Sequence, residues 1–149
     1  MTDYRKKAEA YFREGYNCSQ AVLLAFADEL SIDRITAVKI ASSFGGGMGK
    51  LREVCGAVSG MFMVAGLKSG YFSPEAKEEK ASHYALIQKL SAEFTARNNS
   101  IICRELLKGS NPKDGFKPEN RTEEYYKKRP CAELVGDAAE ILAETLFKA

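Results

Sequence analysis

Apolar side chains recur every three or four positions through most of this chain, the spacing of one face of an α-helix. Tyr4 to Glu14 makes a short amphipathic stretch that Gly15 stops. Asn17 can cap a helix through Leu30, with Val22, Phe26 and Leu30 on one face. Asp33 can cap the next, where Ile35, Val38, Ile40 and Ala41 keep helical spacing up to Phe44. Beyond the glycines that follow, Leu51 to Leu67 reads as a mostly buried helix ending near Gly66 or Gly70. Ser73-Pro74-Glu75 is a start signal, with proline at the first helical position and acid in the first turn. The helix it opens is the longest, reaching about Asn98, with His83, Ile87, Leu90 and Phe94 along one stripe. Ser100 can cap a brief helix from Ile101 to Lys108, and Gly109 to Asn120 has loop composition. The last helix follows Pro130 and repeats Leu134, Val135, Ala138, Ile141 and Leu142. No run alternates apolar and polar residues long enough for a strand. The pattern predicts an all-α protein, one compact bundle of about six to seven helices forming a single domain over residues 1–149.

Composition narrows the partners. A length of 149 residues supports a real hydrophobic core without disulfide staples or a structural metal. A net charge of +2 is too small to make nucleic acid or an anionic membrane the default partner. The longest segment without charge, Val54 to Leu67, is too short to span a bilayer, so no membrane insertion is expected. The first residues, Met-Thr-Asp-Tyr-Arg-Lys-Lys, are charged where an export signal needs an apolar run, which points to the cytoplasm.

A reducing compartment changes what four cysteines mean. Cys18, Cys55, Cys103 and Cys131 contain no Cys-x-x-Cys pair, so neither a local dithiol nor a zinc ribbon is written into the chain. Each falls near the start of a predicted helix. Helix N-termini carry unpaired N–H groups and positive dipole, which favour a thiolate and hence reactivity or metal ligation. Arg52, Arg104 and Arg129 lie close in sequence and add to that expectation. The plain alternative is that each thiol packs as a small hydrophobe.

Other candidates are weaker. In Cys55-Gly56-Ala57-Val58-Ser59-Gly60, Gly56 and Gly60 share a face and let a second helix approach closely. Gly45-Gly46-Gly47-Met48-Gly49-Lys50 lacks the spacing of a phosphate-binding loop and suits a hinge or lid over Cys55. His83, on the apolar stripe of the long helix, is a candidate accessory base whose bland reading is a partly buried histidine. Lys127-Lys128-Arg129 reads as a solvated face offset by Glu123 and Glu124.

Gly15-Tyr16-Asn17-Cys18-Ser19-Gln20-Ala21-Val22-Leu23, Phe44 to Gly49, Cys55-Gly56-Ala57-Val58-Ser59-Gly60, and the single cysteines 103 and 131 together resemble the C_GCAxxG_C_C family. The resemblance runs from about Gly15 into the last helix; Ser19 stands where alanine is commoner. It implies a small helical protein regarded as redox-active because of its four cysteines. Such proteins are often encoded near transporters, and a related domain in split-Soret cytochromes accompanies an iron–sulfur centre. This chain has no Cys-x-x-Cys-His, so covalent haem is not indicated.

The expectation is therefore a redox protein in which Cys18, Cys55, Cys103 and Cys131 hold an iron–sulfur cluster or other thiophilic metal, or form reversible disulfides. In the dithiol version Cys55 is the candidate attacking thiolate. The partner is a redox protein or a transporter-associated one, and whether the chain is an enzyme stays open. The rival is a non-enzymatic helical interaction module, accessory to a membrane transporter, with the cysteines merely packed.

Overall fold

Local sequence explains where the helices begin. The computed structural model describes residues 2–108 and 115–148. Helix α1, Tyr4–Glu14, starts where Asp3 accepts from the Lys6 amide and ends at Gly15 in the left-handed region. Helix α2, Cys18–Phe26, starts with a reciprocal capping box between Asn17 and Gln20. Asp33 caps α3, Arg34–Ala41, through the Thr36 amide. A 3₁₀ turn, Ser42–Phe44, and a single glycine-rich turn, α4, Gly45–Met48, follow. Then come α5, Gly56–Ser69, α6, Lys77–Asn98, α7, Cys103–Leu106, α8, Glu123–Lys128, and α9, Cys131–Leu146. Six of these are helices of eight residues or more, and no strand occurs among the described residues.

The core forms where α2 and α5 cross and α9 packs on both, with α1 covering α2 and α9, and α6 covering α5 and α9. Phe12, Leu23, Phe26, Met61, Leu90, Phe94, Ile141 and Leu142 are fully buried there. Gly60 permits the α2–α5 approach: a Cβ on it would lie 2.7 Å from the Ser19 carbonyl oxygen and 3.0 Å from the Val22 Cβ. Phe26 stacks on Tyr4 at 4.3 Å and meets Phe147 at 4.7 Å, and with Tyr4 and Phe147 5.9 Å apart the three rings form one cluster. No helix among the described residues is long and apolar enough to cross a membrane.

Several boundaries differ from the periodicity. The helix expected from Leu51 begins only at Gly56, because residues 52–55 are not helical, with Arg52 at φ +61°, and bond to the chain around the start of α7. Cys55 N–H donates to Ile101 O at 2.8 Å, Cys103 N–H to Glu53 O at 2.6 Å, and Arg104 N–H to Arg52 O at 3.3 Å. These bonds satisfy backbone groups that an earlier helix would have paired with itself. They also shorten the Ile101–Lys108 helix to four residues. Helix α2 stops at Phe26 rather than Leu30, ahead of Ser31 at φ +54°. Pro74 lies in a turn closed by Ala76 N–H to Ser73 O, so α6 starts at Lys77. Helix α8 was not expected; Thr122 caps it and Glu123 and Glu124 fill its first turn. Of the Gly109–Asn120 loop, residues 109–114 lie outside the described residues, and 115–120 form neither helix nor strand.

Candidate functional site

All four cysteines stand at helix starts. Cys18 is the first residue of α2, Cys55 the N-cap of α5, Cys103 the first residue of α7 and Cys131 the first of α9. Three local arrangements bring Cys18, Cys55 and Cys103 together. The backbone bonds between 52–55 and 101–104 set Cys55 beside Cys103. Gly56 presses α5 onto the start of α2: a Cβ there would lie 3.1 Å from the Cys18 Cβ. Gly47, at φ +72°, closes against the Cys103 side chain, since a Cβ on it would fall 2.6 Å from the Cys103 Cβ. No other residue type both adopts that backbone and leaves that space.

The result is one cavity of about 290 Å³ that all four cysteines line, together with Gly45, Gly46 and Gly47. Cys55, Cys103 and Cys131 are buried, Cys18 is partly exposed, and none is in a disulfide. The outer rim carries exposed Gly49, Phe116, Pro118 and Glu119. The glycine turn expected as a hinge or lid is thus part of the cavity wall. Ala57 and Gly60 lie behind the wall, buried in the α5 packing.

The thiols are not equivalent. Cys18 and Cys131 share a hydrogen bond, and the bond raises Cys18 well above the ordinary thiol value while lowering Cys131 below it. Arg129, Arg121 and Arg52 all act on Cys131, whereas the charges acting on Cys18 are the other sulfurs. Proximity to cations favours the shared proton on Cys18 and negative charge on Cys131. Burial pushes Cys55 up to about 12, against the pull of the Ala57 and Val58 amides. Burial also raises Cys103, opposed by Arg52, whose Nη1 donates to Cys103 Sγ at 3.8 Å. Of the four, only Cys131 is shifted towards the thiolate, while burial opposes that charge at Cys55, the candidate named from the sequence.

Two residues that the sequence did not single out complete the wall. Arg121 comes from the irregular chain before α8, donating Nη2–H to Tyr16 O at 2.8 Å and a second bond to Phe12 O. Its guanidinium lies 4.1 Å from the Phe12 ring centroid. Tyr125, on α8, lines the cavity beside it; burial, then the charge of Cys131, pushes its phenol up to about 12. No local pattern marks Arg121; only its position in the fold does. Arg129 is not part of a solvated face either. It forms a two-pronged ion pair with Glu119, at 2.7 and 2.6 Å, and lines the cavity. Lys127 and Lys128 are exposed, and Arg104 turns outward to Glu53.

His83 sits elsewhere. It lines a separate pocket with Phe62, Tyr71, Tyr84 and Ile87, edge-on to Tyr71, and does not line the cysteine cavity.

The donor set suits a thiophilic group, because four soft sulfurs on helix N-termini, with arginines nearby, can offset thiolate charge. A single tetrahedral ion would need its sulfurs about 2.3 Å from one centre. Among the described residues no three His, Cys, Asp or Glu side chains converge to hold one ion in that way. The thiols instead surround an open volume.

A protein-family model described as "Putative redox-active protein (C_GCAxxG_C_C)" matches residues 16–145. No curated protein and no solved structure matches the chain.

Proposed function

The chain belongs to the C_GCAxxG_C_C family, and on that footing we propose that its four cysteines form one thiol redox centre. The observation that carries this reading is that Cys18, Cys55, Cys103 and Cys131 start four different helices yet line a single cavity. Cysteines that only fill a core would not share one cavity lined by Arg52, Arg121 and Arg129.

The best-supported working form is a dithiol couple of Cys131 and Cys18. Cys131 supplies the thiolate that attacks a disulfide sulfur, and Cys18, already hydrogen-bonded to it, resolves the mixed disulfide. The protein loses two electrons and the attacked disulfide gains them. A second reading rests on the cavity being shared by all four sulfurs: Cys18, Cys55, Cys103 and Cys131 would ligate an iron–sulfur cluster or other thiophilic metal. Such a group would supply electron transfer when bound, and the arginines and helix starts would stabilise the anionic thiolates. Either form suits a reducing compartment such as the cytoplasm, and a redox or transporter-associated partner.

Anaerobic purification followed by metal and sulfide analysis separates the two. A dithiol centre gives no stoichiometric metal, with Cys18 and Cys131 lost together on mild oxidation. Iron with acid-labile sulfide and visible charge-transfer bands would replace it with the cluster. If serine at all four positions left every redox property and partner unchanged, the centre itself would fall.

A further inference from the structure

The cavity has a charge pattern that redox chemistry by itself does not require. Four cationic side chains line it: Lys50, Arg52, Arg121 and Arg129. Glu119 is the one carboxylate among the described residues lining it, and Arg129 already holds both of its oxygens. Lys50 and Arg121 are held by neutral groups. Lys50 Nζ donates to Lys117 O at 2.6 Å, and Arg121 donates to the carbonyls of Phe12 and Tyr16 while resting on the Phe12 ring. Carbonyls fix where these cations stand without cancelling their charge. The field therefore reaches into a partly enclosed volume with apolar walls, where it is screened less than at an open surface.

The size sets a second limit. About 290 Å³ is at the lower end of what small-molecule sites occupy and well below what a folded partner would need to enter. The thiols form the floor, and the way in runs past exposed Gly49, Phe116 and Glu119.

We infer that this cavity admits small anionic disulfides, carboxylate-bearing molecules whose S–S bond reaches Cys131 while Lys50 and Arg121 hold the carboxylates. The inference rests on the dithiol reading and adds the substrate class. In the step, the Cys131 thiolate attacks one substrate sulfur, the substrate S–S bond breaks, and a carboxylate-bearing thiolate leaves. Cys18 then gives up its proton to solvent and attacks the Cys131 sulfur. The Cys18–Cys131 bond forms, the second thiolate leaves, and two electrons have passed from protein to substrate.

Two sets of probes test it on the full chain. Iodoacetate and iodoacetamide differ in charge but not in the bond they form, so their rate ratio at Cys131, mapped by mass spectrometry, reads the field without any disulfide chemistry. Relative to the same ratio on a short unstructured cysteine peptide, iodoacetate should be favoured about tenfold. The preference should shrink in high salt and in Lys50→Gln, and return in Lys50→Arg. The second set is dithiodipropionate, hydroxyethyl disulfide and cystamine, which are dianionic, neutral and dicationic. Oxidation of the Cys18–Cys131 pair should be fastest with the first and slowest with the last. Equal rates for all three, or an iodoacetate ratio matching the free peptide, would overturn the substrate class and leave the dithiol couple standing. Alkylation of Cys131 without oxidation by any of the disulfides would sink the couple, and the inference with it.

Discussion

At the scale of single residues, the property that matters is the unequal sharing of one proton between two sulfurs. Cys131 and Cys18 are hydrogen-bonded, but only Cys131 feels Arg129, Arg121 and Arg52 together. Its iodoacetamide alkylation rate should therefore reach half-maximum below the ordinary thiol value of 9.0. Cys18→Ala removes the hydrogen bond and should move that midpoint upward; an unchanged midpoint would show that the pair is not coupled. Cys55 gives a prediction of opposite sign. Its folded value, about 12, lies above the ordinary 9.0, so the protonated form is the one folding favours. Its contribution to stability is complete below pH 9 and is lost as pH rises from there towards 12. Each buried, protonated thiol contributes a slope of up to about 1.4 kcal/mol per pH unit in that window. Urea midpoints measured from pH 8 to 10.5 should fall, and Cys55→Ala should flatten the fall. The cysteines were legible as candidates because Asn17, Ser100 and Pro130 mark helix starts beside three of them. Arg121 and Tyr125 were not legible: their role depends on where the chain before α8 lands, and nothing periodic encodes that landing.

At the scale of helices, close approach and local preference can be separated within α5 itself. Gly60 and Gly66 are both helix-interior glycines, so alanine should gain about 1 kcal/mol of helix propensity at either. Gly66 has open space where a Cβ would go, and Gly66→Ala should stabilise the protein by up to that amount. Gly60 has the Ser19 carbonyl at 2.7 Å instead. Gly60→Ala should therefore destabilise by about 1–3 kcal/mol as α2 and α5 are forced apart. Denaturant midpoints of the two variants should move in opposite directions, and a shared direction would mean the helices do not meet as described. The pairing of Gly56 with Gly60 was readable from their four-residue spacing. The start of α5 was not, because Leu51, Val54 and Cys55 continue an apolar pattern through a segment that the structure keeps non-helical. Hydrogen bonds to 101–104 override the pattern there, since backbone pairing between distant segments leaves no trace in side-chain periodicity.

Across the whole molecule, Arg121 fastens the stretch before α8 to the bundle, beside the Lys50 bond to Lys117 O and the Arg129 pair with Glu119. Arg121 reaches the end of α1 at Phe12 O and the chain beyond it at Tyr16 O. Arg121→Gln should release that fastening, and limited proteolysis should cut near residues 115–122 faster while the helices stay protected; an unaltered cleavage rate would mean other contacts hold the segment. The sulfurs themselves are spread along the chain, with no two of them near neighbours in sequence. Only the complete arrangement of α2, α5, α7 and α9 brings them together. In the unfolded chain each thiol therefore meets the others at the low effective concentration of a long flexible loop, and behaves as an ordinary isolated cysteine. The Cys18–Cys131 couple itself needs α2 and α9 in place. Because α2 and α9 are core helices, reactivity of that couple followed through a denaturant titration should switch at the same midpoint as the helical signal.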